Sequence, residues 1–164
     1  MTGRGVLFAL DPADERQMLA IPEARARIAW VANVIEERWD VAWLHETDAL
    51  WFPVHYCLHG ASGFPEPGLP AEARTIFGGL PLGVPGIYSI DYKDADLVRR
   101  ITTALSMMRD DAVWARAGLV ERKDYTGPKD DNLQVAVVDE IHALAAFFAK
   151  AAQAGRSVIF TVDM

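Results

Sequence analysis

The chain opens and closes on strand-like runs, "GVLFAL" at 5–10 and "RSVIFTV" at 156–162, and no strand-helix alternation links them. A parallel doubly wound sheet requires that alternation, so its absence favours an α+β arrangement with several helices packed on a small mixed or antiparallel sheet. At 164 residues the chain is expected to form a single compact domain over 1–164. A domain of this size buries roughly 70% of the surface that its unfolded chain exposes.

The helices announce themselves by apolar spacing. "DPADERQMLA" starts a short helix, with Asp11 as N-cap and Pro12 at the first helical position, where its missing N–H costs nothing. After Pro22, Ile28, Val31 and Ile35 recur at helical spacing, with Glu23, Arg25, Glu36 and Arg38 left for solvent. "DADLVRRITTALSMM" places Leu97, Ile101, Leu105 and Met108 on one stripe, and "DDAVWARAG" adds a short helix that Gly118 can close. The last helix begins near Asn132, runs through Leu133, Val137, Ile141, Leu144 and Phe148, and ends at Gly155. Two stretches are irregular. Residues 60–86 hold five prolines and seven glycines, yet also Phe64, Ile76, Phe77, Leu80 and Leu82, which predicts an ordered loop packed on the domain and one wall of a site. "ERKDYTGPKDDN" is polar and reads as a solvated connection.

Composition narrows the function. A net charge of -7 and a pI near 5.0 oppose phosphate backbones and anionic lipid, and no Lys/Arg cluster provides a local exception, so neither nucleic acid nor membrane is expected as a partner. One cysteine cannot close an internal disulfide, and the apolar run Val6 to Leu10 is too short for a signal-peptide core, which predicts a cytoplasmic protein. "IHALAAFFAKAAQAG" is interrupted by His142 and Lys150 and is shorter than the roughly 20 residues of a membrane span.

The densest chemistry lies in "DALWFPVHYCLHG", residues 48–60. Read as a helix, the stretch takes Thr47 as N-cap, Asp48 in its first turn and Gly60 as its left-handed end, with Pro53 either kinking it or starting it. At 100° per residue, Asp48, His55 and His59 fall within about 40° of arc and Trp51 lies about 60° from Asp48. His55 and His59 have metal-ligand spacing, but Asp48 sits about 10 Å along the axis from His55 and cannot join the same ion. Tyr56 occupies the place of a metalloprotease glutamate, so neither metal nor cofactor is expected. Cys57 points about 200° away from both histidines, which removes their use as its base and predicts an inert buried thiol. The glycines of "GGLPLG" lack the Lys-Ser/Thr of a phosphate loop and instead signal tight turns or close backbone approach. Trp30, Trp39, Trp43, Trp114, Phe147 and Phe148 read as core, and His142 as a hydrogen-bonded residue at a core edge.

The order acid, two residues, Trp, three residues, His-aromatic, then Gly, seen as Asp48, Trp51, His55, Tyr56 and Gly60, resembles the central motif of the YfbM-like family of bacterial proteins, domain of unknown function 1877. "FGGLPLG" at 77–83 is similar to its Gly-Gly-x-Pro-hydrophobic-Gly segment, and "FFAKAAQAGRSVIFTV" to its closing helix and strand. His59 stands where the family pattern usually has Thr, and Pro53 where it has a small residue. The resemblance covers nearly the whole chain and implies a small α+β domain without implying an activity.

Two functions are compatible with these residues. The first is a binding or interaction protein that holds a protein or small-molecule ligand, including the case of an immunity-type neutraliser of a bacterial toxin. The second is a small enzyme in which His55 acts as acid or base, Asp48 orients it, and Trp51 and Tyr88 line the pocket. The candidate site is Asp48, Trp51, His55, Tyr56, Gly78, Gly79 and Tyr88.

Overall fold

The computed structural model describes residues 3–60, 68–120, 125 and 132–163. Five strands form one open antiparallel sheet: β1 (Gly5–Leu10), β2 (Leu44–Asp48), β3 (Leu80–Pro81), β4 (Tyr88–Lys93) and β5 (Ser157–Asp163), in the order β2-β1-β5-β4-β3. The terminal strands foreseen from their apolar runs pair at the centre, with Leu7 opposite Phe160 and Phe8 opposite Ile159. β4 flanks β5 with Tyr92 opposite Ile159. The sheet is thus antiparallel throughout.

Its helices are α1 (Pro12–Ala20), α2 (Ala24–Trp30), α3 (Trp51–His59), α4 (Ala95–Ser106), α5 (Asp110–Ala117) and α6 (Leu133–Gln153), with a π-helical turn over Val31–Glu36 and a 3-10 turn over Ala71–Arg74. Local signals set several ends. Asp11 caps α1 by accepting from Ala13 N at 2.9 Å and Asp14 N at 2.8 Å, beside the Pro12 expected at the start. Asp94 caps α4 through Leu97 N, and Gly155, at φ 65, lets the chain leave α6 in left-handed geometry. Gly118 follows α5 with φ -66, so it ends that helix without the left-handed turn.

Strand alternation sorts side chains between two cores. Leu7, Ala9, Val158, Phe160 and Val162 face α3, α4, α5 and α6, where Leu97, Ile101, Leu105, Val137, Leu144 and Phe148 are buried. Val6, Phe8, Leu10, Ile90 and Ile159 face the other way, against Met18, Val31 and Ile35 from α1 and the π-helical turn. On that side Arg27 donates to the carbonyls of Met18 at 3.3 Å, Leu82 at 3.0 Å and Ile21, tying the end of α1 to the chain around β3. No helix of the described residues is long and apolar enough to cross a membrane.

Three expectations fail in packing. Leu80 is exposed rather than packed, because it lies on the two-residue edge strand β3. Trp114 is also exposed, unlike the half-buried Trp30, Trp39 and Trp43. Tyr125, within a stretch expected to be solvated, is buried in the larger core. Phe64 and most of 121–131 lie outside the described residues.

Candidate functional site

The motif at 48–60 begins one element earlier than its sequence suggests. Thr47 belongs to β2, and its hydroxyl donates to Gly5 O at 2.9 Å instead of capping a helix. Asp48 closes that strand with φ 46, in the left-handed region that Asp tolerates better than most residues, and its side chain is exposed. α3 starts at Trp51, after Leu50, so Pro53 occupies the first turn, where its N–H would lack an intrahelical partner anyway. No kink is required. The far end follows expectation: Gly60, at φ 86, ends α3 and donates its N–H to Tyr56 O at 2.7 Å.

α3 is buried over most of its surface, which its near-continuous apolar composition requires. Trp51 and His55 are each 2% exposed. The indole N–H of Trp51 donates to Gly3 O at 2.9 Å, satisfying the one polar atom that burial would otherwise orphan. The Phe77 ring meets Trp51 edge-on at 5.7 Å, His55 at 5.4 Å and Phe160 at 5.2 Å, so it joins helix, turn and sheet. His55 stacks on the half-buried His59, with ring centroids 5.1 Å apart and planes 9° apart. Tyr56 is half-buried against the same core. Cys57 is wholly enclosed, and burial pushes its thiol up to about 12. The thiolate needed for nucleophilic chemistry is therefore suppressed.

Gly78 and Gly79 follow Phe77 and turn their N–H groups onto the Asp91 carboxylate at 3.0 Å each. A side chain at position 79 would place its Cβ 2.1 Å from Tyr92 O, and one at 83 would lie 2.2 Å from Tyr88 O. Those glycines exist because two backbones touch. Asp91 in turn accepts from the ammonium of Lys93 at 2.5 Å, and Lys93 also donates to Ile76 O at 2.7 Å. Lys93 is completely buried, and burial pushes its pKa down against the opposing pull of Asp91. Arg74 closes the turn by donating to Gly78 O at 2.6 Å.

These contacts bring together Trp51, His55, Gly78 and Gly79, with Phe77 as the common neighbour, and exclude two other candidates. Asp48 lies outside the helix and shares no helical face with His55. Tyr88 lies on the opposite side of the sheet, where it packs in the smaller core and its hydroxyl donates to Glu36, with Thr161 donating to the same oxygen at 3.1 Å. The reason is parity: Tyr88, Ile90 and Tyr92 share one face of β4, and Ser89, Asp91 and Lys93 the other. Sequence reasoning passed over Asp91 and Lys93; the one signal that could have found them is their spacing of two, which puts opposite charges on the same face if the segment is a strand. Among the described residues no three His, Cys, Asp or Glu side chains could hold one metal ion. His142 pairs with Asp110 at 2.7 Å, both exposed.

The arrangement is a polar knot inside an aromatic core, and the geometry it fixes is that of the turn against the sheet. An antiparallel five-stranded α+β sheet with helices on both faces, held by a Trp-x-x-x-His helix and a Gly-Gly turn, defines the class of protein. The chain belongs to the family described as domain of unknown function DUF1877, whose model matches residues 1–161. Its fold is similar to that of the protein of unknown function YfbM from Escherichia coli, with a TM-score of 0.67 and 12% identity over 97% of this chain and 99% of that one. No curated protein matches the chain in sequence.

Proposed function

We propose that this chain is a cytoplasmic binding protein that holds a basic protein partner, in the specific role of an immunity-type neutraliser of a bacterial toxin. The observation carrying this reading is where the chemistry sits. Trp51, His55, Asp91 and Lys93 are packed within the fold, whereas the net charge of -7 is left to an exterior that attracts cationic surfaces. An enzyme using His55 with Asp48 draws no comparable support, because one residue is buried in α3 and the other is exposed at the end of β2.

The test is co-expression with each protein encoded beside this one. Relief of growth arrest, together with a complex in size-exclusion chromatography that weakens as salt rises, is the expected result. Turnover of a metabolite by the purified protein, abolished by His55→Gln in a variant that still folds, would overturn it.

A further inference from the structure

The sheet ends in two unlike edges. β3 is two residues long, contains Pro81 and so offers little to pair with. β2 is five residues long, has no proline or glycine, and among the described residues pairs on one side only, with β1. Ala9 N donates to Trp43 O at 2.8 Å and Leu7 lies opposite His45, so alternation turns the N–H and C=O of Leu44 and Glu46 away from β1. An antiparallel sheet can continue there.

The surroundings of that edge are acidic. Glu37, Asp40, Glu46 and Asp48 are all exposed within twelve residues. Of the nearby cations, Arg38 is committed to Asp14 at 2.7 Å, Arg4 meets Glu46 while lying over the Trp39 ring at 5.0 Å, and Arg156 and Lys150 lie over the Trp43 ring at 3.7 and 4.4 Å and donate to the carbonyls of Ala9 and Ala42, which leaves Glu37, Asp40 and Asp48 without an ion pair among the described residues. Val41, 78% exposed and three residues before β2, adds an apolar contact for a neighbouring strand.

We propose that the outer edge of β2 binds an extended, lysine- or arginine-bearing segment of the partner protein as a sixth strand. The backbone groups of Leu44 and Glu46 supply the hydrogen bonds, and the surrounding carboxylates select for positive charge. This rests on the reading above that the partner is basic, and it adds where and how the partner binds.

The probe is an octapeptide of alternating Lys and Val, with a control of the same charge broken by two central prolines. Three measurements are made at low salt: affinity by NMR titration, hydrogen-exchange protection of each backbone amide, and affinity of two variants. Glu46→Pro removes an outward N–H without touching the β1 ladder, and Glu46→Gln keeps that N–H but removes the carboxylate charge and with it the ion pair to Arg4. The expected result is protection of the Leu44 and Glu46 amides by the octapeptide but not by the control. Affinity should fall about tenfold or more in Glu46→Pro and by about threefold in Glu46→Gln. Protection in the unmutated protein decides the matter even if Glu46→Pro fails to fold. Binding without protection at β2, or binding of both peptides alike, overturns the strand-addition proposal and leaves the basic-partner reading standing. No binding of either peptide at low salt overturns both.

Discussion

The two faces of the sheet are built from the same strands yet use polar groups in opposite ways. On the face covered by α3, α4 and α6, Asp91 and Lys93 are sealed beneath a large aromatic core and satisfied by one another and by backbone atoms of the 76–79 turn. On the face covered by α1, α2 and the π-helical turn, Tyr88 reaches Glu36 and Tyr92 reaches Glu15, with the tyrosines and both carboxylates half-buried. Burial pushes the pKa of both phenols well up, so they stay protonated donors. A sealed pair is costly to break because water cannot replace the lost partner, whereas a half-buried pair can fall back on solvent. The difference locates specificity on the first face and tolerance on the second.

Breaking the sealed pair gives the largest expected effect. Asp91→Ala strands the Lys93 ammonium and two backbone N–H groups, and should cost about 3–5 kcal/mol in urea melts. The loss should shrink as pH rises. Removing Asp91 takes away the pull that opposes burial, so the lysine pKa of the folded variant falls further, and the penalty is full below that folded pKa, where both states carry the proton. That penalty is relieved as pH climbs through the depressed value towards the ordinary lysine range. A pH-independent loss of about 1 kcal/mol would erase the contrast between the faces.

Cys57 sharpens the same contrast kinetically. With its thiol raised to about 12 and enclosed beside Val54 and Leu58, alkylation at pH 8 should run at least about a hundredfold slower in the folded protein than in urea. Rapid stoichiometric labelling of native protein would show that α3 opens readily.

Tyr88→Phe probes the tolerant face. It removes one hydroxyl from a carboxylate that Thr161 still contacts, and should cost about 1 kcal/mol in the same melts. A loss matching that of Asp91→Ala would mean that the second face is sealed as well.

The smallest effect is expected at the junction leading into α3. Asp48→Gly relaxes a left-handed residue and should change stability by less than about 1 kcal/mol, with relief of strain offset by a more flexible unfolded chain. A loss of several kcal/mol would return Asp48 to the structural centre of the motif.

What the residues determined by themselves is local. Continuous apolar runs marked β1 and β5 and period-3.6 apolar spacing marked α4 and α6, because burial is a requirement that each segment writes into its own sequence. Asp11-Pro12 and Gly60 fixed helix ends through capping and left-handed geometry, which depend on immediate neighbours only. β2 and β4 were not legible: "LHETD" is half exposed on an edge, and "YSIDYK" carries its charges inward, so neither shows the expected polar-out alternation. The meeting of Phe77 with Trp51 and His55, and of Gly78 and Gly79 with Asp91, spans separations that no local pattern encodes. Tertiary structure alone decided that Asp48 would leave the helix and that Tyr88 would face away from it. Parity along β4 and a three-residue shift in the start of α3 assign each side chain its face, and both depend on how distant segments pack.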